Sequence, residues 1–235
     1  MVDFRVTAQS VAHRGDPYHY RENTLASVRS ALVKGADVVE VDVRITRDGV
    51  PVLLHDATLE RLWGSRARVS SLTAAEVSRL TGGGVPTLAA ALEELGGHPA
   101  ARLLLDLTET EDAGPSIAAV REAGPAAGQV YYCGSLPAMV AVRVHDPAAE
   151  IAMTWTTSQR PPESLVADLA PRWINLRFGL IDPPLVLWAR DHGLLIGAWT
   201  PDTPRAMSRL VHLGVDAITS NRLETLQRVL AGGGR

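Results

Sequence analysis

Short apolar segments with strand character alternate with helical segments along almost the whole chain, and this alternation limits the fold more than any other feature. The strand-like segments are 9–13, 38–45, 51–55, 102–107, 129–133, 150–155, 172–177, 194–200 and 215–219. Between the first two, Asn23 or Thr24 can cap a helix that carries Leu25, Val28 and Leu32 on one face and ends at Gly35. Later helical patterns fit 87–95, 112–123, 136–144, 162–169, 183–192 and 203–213. Repeated alternation over 235 residues predicts a parallel α/β fold, most simply a (β/α)8 TIM barrel. A composition of 46% hydrophobic and 21% charged residues suits one domain, 1–235, with a large core.

Two irregularities qualify that reading. About nine residues join Asp42 to Pro51, too few for a crossover helix, so an extended return around Asp48-Gly49 is expected. Nine strand-like segments also exceed the eight of a barrel, so one must lie outside it. Residues 57–86 form a loop-rich insertion. A short helix near 73–80, capped by Ser71 or Thr73, precedes Gly82-Gly83-Gly84. The tail beyond 231 is expected to fray.

A net charge of -3 and a pI near 6.2 give no polyanion-binding surface, so nucleic acid is not an expected partner. The single cysteine, Cys133, allows no internal disulfide and fits a reducing compartment. No basic segment precedes a long apolar run, and no stretch of 18 apolar residues occurs. The expectation is a soluble cytoplasmic protein without stable membrane association; the oligomeric state stays open.

The chemistry begins with Val38-Val39-Glu40-Val41-Asp42-Val43, a buried-strand pattern that holds two acids. An unpaired buried carboxylate is very costly, so these acids need a cation or a functional reason. Residues two apart on a strand share a face at roughly 6.6 Å, so Glu40 and Asp42 can converge on one hard cation, Mg2+ or Ca2+. Asp106 repeats the anomaly within Arg102–Leu107 and is a candidate third ligand; Thr108 shares its face, while Glu109 points away. His13 and His55 each end an apolar strand, where barrel enzymes carry catalytic residues. Arg14 can grip a phosphate in fork geometry. Together these residues describe acid–base chemistry on an anionic substrate beside a metal ion.

At this point the residues match a family. The chain resembles the glycerophosphodiester phosphodiesterases in Ala12-His13-Arg14-Gly15, Glu22-Asn23-Thr24, Glu40-Val41-Asp42-Val43, Asp48-Gly49 and His55-Asp56. Leu95-Gly96, Ala198-Trp199-Thr200-Pro201 and Gly214-Val215-Asp216-Ala217-Ile218-Thr219 extend the match to Asn221. The resemblance implies a metal-dependent TIM barrel of the phospholipase-C-like phosphodiesterase type, with a small insertion after the third strand. It implies cleavage of glycerophosphodiesters to sn-glycerol 3-phosphate and an alcohol. His13 and His55 would be the acid–base pair. Glu40, Asp42 and Asp106 would bind the metal, and Arg14 the phosphate.

Two departures accompany it. The family's fourth strand reads Glu-x-Lys where this chain has Asp106-Leu107-Thr108, and its Thr-Asp-x-Pro is replaced by Thr219-Ser220-Asn221-Arg222. The only lysine, Lys34, ends the first helix. Arg177, which shares a strand face with Asn175, is therefore expected either to supply the missing cation or to pair with Asp182 or solvent. Trp199 would pack against substrate or in the barrel core. Leu59, Leu62, Trp63, Val69 and Leu72 of the insertion would form its own small core or an apolar entrance. Alternatives to hydrolysis of glycerophosphodiesters are a catalytically weak phosphodiester-binding relative and a phosphodiesterase acting on lysophospholipids.

Overall fold

The computed structural model describes residues 8–232. Eight strands run parallel: β1 (Gln9–His13), β2 (Val38–Ile45), β4 (Arg102–Leu107), β5 (Val130–Gly134), β6 (Ala152–Trp155), β7 (Trp173–Arg177), β8 (Leu195–Trp199) and β9 (Ala217–Ser220). Their order is β5-β4-β2-β1-β9-β8-β7-β6. A parallel bridge between Tyr132 and Ile151 brings β5 and β6 together and closes the ring, with Tyr132 N donating to Glu150 O at 3.0 Å.

The supernumerary strand is β3 (Pro51–Leu53), which pairs antiparallel with β2 and lies outside the ring. The return between them is the expected tight turn: Thr46 N donates to Val50 O and Gly49 N to Thr46 O. β3 stops at Leu53, short of the expected 55, because register partners on β2 extend only from Ile45 back to Val43. His55 therefore sits in a loop beyond the strand rather than at its end.

Strand alternation separates two environments. Val39, Val41 and Val43 face outward into the main core beneath the helices, while Glu40 and Asp42 face the barrel mouth. Deeper inside, Val11, Val38, Leu104, Tyr131, Ala152 and Trp173 fill the barrel, so the interior is packed rather than open. The first helix, Leu25–Val33, is capped by Thr24, whose side chain accepts from Ser27 N. Thr73 caps Ala74–Thr81 in a capping box with Glu76. The insertion has its own core of Val52, Leu54, Leu59, Val69, Val77 and Val85, with Leu62, Trp63 and Leu72 packed on it. A helix not foreseen in the sequence, Leu223–Gly232, follows β9 and buries Leu223 and Leu226. Most of the tail expected to fray beyond 231 lies outside the described residues.

Candidate active site

The turn after β1 is built from two left-handed residues, Arg14 (φ 57) and Gly15 (φ 86). A Cβ on Gly15 would lie 2.6 Å from the Ser27 carbonyl carbon, so only glycine fits against the first helix. Ser27 Oγ and Asn23 N both donate to the Arg14 carbonyl and hold the turn in place. The turn aims its backbone at β2: Arg14 N donates to Glu40 Oε2 at 2.9 Å. The guanidinium folds over the same strand, with Nε 3.0 Å from Asp42 Oδ2 in a charge contact and Nη1 donating to Glu22 Oε1 at 2.9 Å. Asn23 completes the clamp, its Nδ2 donating to Asp42 Oδ2 and its Oδ1 accepting from Asp42 N.

Protein donors thus occupy one oxygen of Glu40 and one of Asp42, leaving a second oxygen on each. Asp106 is the register partner of Asp42 on β4. Glu40, Asp42 and Asp106 each offer an oxygen, all within 4.8 Å of one another. Asp106 Oδ1 is buried without a hydrogen-bond partner. Burial, then repulsion from Asp42 and Asp106, pushes the Glu40 carboxyl well above the usual carboxylate range. Burial, then Asp42, raises Asp106 to about 6. Three crowded carboxylates with an orphaned buried oxygen fit a hard divalent cation, and an all-oxygen donor set excludes a preference for soft metals.

The two histidines are oriented by different partners. His13 Nδ1 lies 2.7 Å from Asn221 Oδ1. Asn221 Nδ2 donates to Asp202 Oδ2, which turns the amide oxygen toward His13, so His13 Nδ1 carries a proton and Nε2 is left free. That Nε2 lies 3.8 Å from Glu40 Oε2. Burial lowers the His13 imidazole below its ordinary value, and the hydrogen bond to Asn221 opposes this. His55, more exposed, has Nδ1 2.7 Å from Asp56 Oδ1. Arg61 of the insertion donates from Nε to Asp56 and from Nη2 to Glu22, joining the two halves of the site. The Arg61 hydrogen bond holds the Asp56 carboxyl below the usual range, with His55 adding to it.

A cavity of about 390 Å3 opens among these groups. His13, Arg14, Glu40, Asp42, His55 and Asp106 line one side; Ser135, Thr154, Asn175, Trp199 and Thr219 line the other. Arg177 ends β7 at the rim, exposed and outside that lining, and its register partner is Trp199. Asp182 does not meet it, since its carboxylate caps the helix Pro183–Asp191 and faces Arg160. The guanidinium beside Thr108 belongs to Arg44, whose Nη1 donates to Thr108 Oγ1 at 2.6 Å. Sequence reasoning passed over Arg44, although it continues the Glu40–Asp42 face by the two-residue period. It reads Asn23 only as a helix cap and a motif residue, and assigns no role to Arg61, Asp202 or Asn221. Asp202 meets Asn221, and Arg61 meets Glu22, only through the tertiary fold, so neither contact leaves a local signal.

Residues 13–225 match the model of the glycerophosphoryl diester phosphodiesterase family. The chain is 26% identical to a glycerophosphodiester phosphodiesterase of Caldanaerobacter subterraneus subsp. tengcongensis, over 95% of this chain and 98% of that protein. It is 27% identical to a probable glycerophosphodiester phosphodiesterase of Mycobacterium tuberculosis, over 96% of this chain and 91% of that one. Among solved structures, a phosphodiesterase from Oleispira antarctica, in complex with the product sn-glycerol-3-phosphate, superposes with a TM-score of 0.85. That match has 24% identity and covers 96% of this chain and 97% of that one. A putative glycerophosphoryl diester phosphodiesterase from Silicibacter pomeroyi reaches a TM-score of 0.86 at 23% identity, covering 97% and 95%. The motif set, the barrel and the match across nearly the whole chain agree: this protein belongs to the glycerophosphoryl diester phosphodiesterase family.

Proposed function

We propose that this enzyme hydrolyses glycerophosphodiesters to sn-glycerol 3-phosphate and an alcohol, using His13 and His55 as a base and acid pair beside a divalent cation. The observation that carries this reading is the convergence of two histidines and three carboxylates on one cavity. The similar structure from Oleispira antarctica with bound sn-glycerol-3-phosphate supports it.

Glu40, Asp42 and Asp106 would hold Mg2+ or Ca2+, which supplies charge neutralisation and polarisation at the phosphoryl oxygens. Arg14, fixed by Glu22 and Asp42, contributes a guanidinium on the phosphate side. His13 is the base: its Nδ1–H is committed to Asn221, and burial keeps Nε2 neutral and able to accept a proton. The proton comes from the nucleophile, either the neighbouring glycerol hydroxyl, giving a cyclic phosphate that water opens, or water directly. His55 is the acid. Its Nδ1–H points to an ionised carboxylate, an arrangement suited to a ring that carries a proton on Nε2 for the leaving alkoxide.

Trp199 packs on the glycerol or head group from the opposite wall. Arg177, at the rim beside Trp199, is assigned to the phosphate or to the part of the substrate that projects from the mouth. The apolar side chains of the insertion pack against one another, which favours a small polar substrate over a lysophospholipid. The complete acid–base set weighs against a protein that only binds phosphodiesters. Among the described residues no helix is long and apolar enough to cross a membrane, and a reducing cytoplasmic setting suits the buried free Cys133. A panel of glycerophosphodiesters assayed for glycerol 3-phosphate, with added metals and with EDTA, tests the proposal.

A further inference from the structure

We propose that Arg44 is a positioning residue: it holds the loop bearing His55 in place over the carboxylate cluster, with Thr108 as its latch. This rests on the hydrolytic reading above and adds a residue to it.

His55 needs such a device. The strand that leads to it, β3, lies outside the ring and ends two residues earlier, so the barrel does not place the imidazole directly. Two contacts from β2 make up for this. Leu54 N donates to Asp42 O at 3.0 Å. Arg44 Nε and Nη2 both donate to His55 O, at 3.0 and 2.6 Å. The remaining arm of the guanidinium, Nη1, donates to Thr108 Oγ1. Arg44 and Thr108 each stand two residues beyond Asp42 and Asp106, which are register partners, so the clamp forms the next layer above the acids. The arginine side chain is 17% exposed, and Glu109 Oε1 approaches Nη1 only to 3.7 Å. A guanidinium used in this way fixes one carbonyl oxygen by two donors and one hydroxyl by a third, a geometry that a lysine ammonium does not reproduce. The same strand thus carries two of the three metal acids and the group that sets the distance from them to the acid catalyst.

Leaving-group dependence tests this. An alkoxide must be protonated as it departs, whereas p-nitrophenolate leaves without help, so a misplaced acid slows only the former. Arg44→Ala is expected to lower kcat on glycerophosphoethanolamine by about 10-fold or more. On bis(p-nitrophenyl) phosphate the loss should stay under about threefold, with KM and Mg2+ affinity near wild type. Arg44→Lys should recover part of the loss. The double variant Arg44→Ala/His55→Ala should be no slower than His55→Ala alone. Thr108→Val, which removes only the latch, should give the same leaving-group signature at smaller size and serves if Arg44→Ala melts early. Equal losses on both substrates, or none on either, would overturn the role of Arg44. A wild-type enzyme that turns over neither substrate would instead overturn the hydrolytic reading.

Discussion

Asp42 and Asp106 face each other as register partners on adjacent parallel strands, and Glu40 stands two residues before Asp42 on the same face. Three like charges in one buried pocket repel, and this strain gives the first prediction. Asp106 is raised to about 6 in the folded protein, so the folded state holds its proton more tightly than the unfolded chain does. Without metal, stability is therefore highest below about pH 4 as far as this group is concerned, and falls as pH rises toward 6. The penalty at pH 7 is on the order of 2–3 kcal/mol. A divalent cation binds only the deprotonated acids, so the gain in Tm from added Mg2+ should grow between pH 5 and 7. Asp106→Asn should raise Tm in EDTA and abolish most of the Mg2+-dependent gain. Differential scanning calorimetry of both proteins at several pH values checks this, and a pH-independent Mg2+ effect would count against the cluster as the cation site.

The chain Asp202–Asn221–His13 yields the second prediction. Removing the amide at 221 frees the His13 ring to choose its tautomer and rotamer. Asn221→Leu should lower kcat by about 10-fold or more with little change in KM. The acid limb of kcat/KM in the wild type should fall below the ordinary imidazole value, since burial lowers His13 and activity is lost as that ring gains its proton. The same limb in Asn221→Leu should move further toward acid pH, because the hydrogen bond that raises the imidazole has gone. Stopped assays over pH 4–9 measure both effects.

Much of the candidate site is legible in the sequence. Glu40, Asp42 and Asp106 stood out because a carboxylate in a valine or leucine run needs a cause, and period two placed the pair on one face. The barrel followed from alternation, and the return at Asp48-Gly49 from its length. Other features were hidden for physical reasons. The continuous apolar run Val52-Leu53-Leu54 reads as a strand up to His55, yet the pairing with β2 goes no further than the hydrogen bond from Leu54 N to Asp42 O, and the Leu54 side chain is buried in the core of the insertion. The sequence points to Arg177 on β7 as the cation beside Thr108, whereas the guanidinium there comes from Arg44, on the same strand as Glu40 and Asp42. Asp202 and Arg61 belong to loops and the insertion, whose placement depends on tertiary contacts that a local pattern does not encode.

The third prediction concerns the turn that carries Arg14. Gly15 adopts φ 86 against the Ser27 backbone, so any Cβ there must displace the first helix or the turn. Gly15→Ala should destabilise by about 2 kcal/mol or more. It should also weaken Mg2+ binding, because Arg14 N no longer fixes Glu40. Thermal melts with and without Mg2+ check both effects together. Gly49→Ala, at another positive-φ turn with open space around it, should leave Mg2+ binding intact.

If this cavity releases glycerol 3-phosphate by metal-assisted acid–base chemistry, the product must depend on both His13 and His55 and on the cation. The most direct measurement follows sn-glycerol 3-phosphate formed from glycerophosphoethanolamine by wild type, His13→Ala and His55→Ala, each with Mg2+ and with EDTA. Wild type should turn over with Mg2+ and lose that turnover in EDTA, and each histidine variant should lose about 100-fold or more. Turnover that survives EDTA, or a histidine variant as fast as wild type on this poor leaving group, would contradict that chemistry.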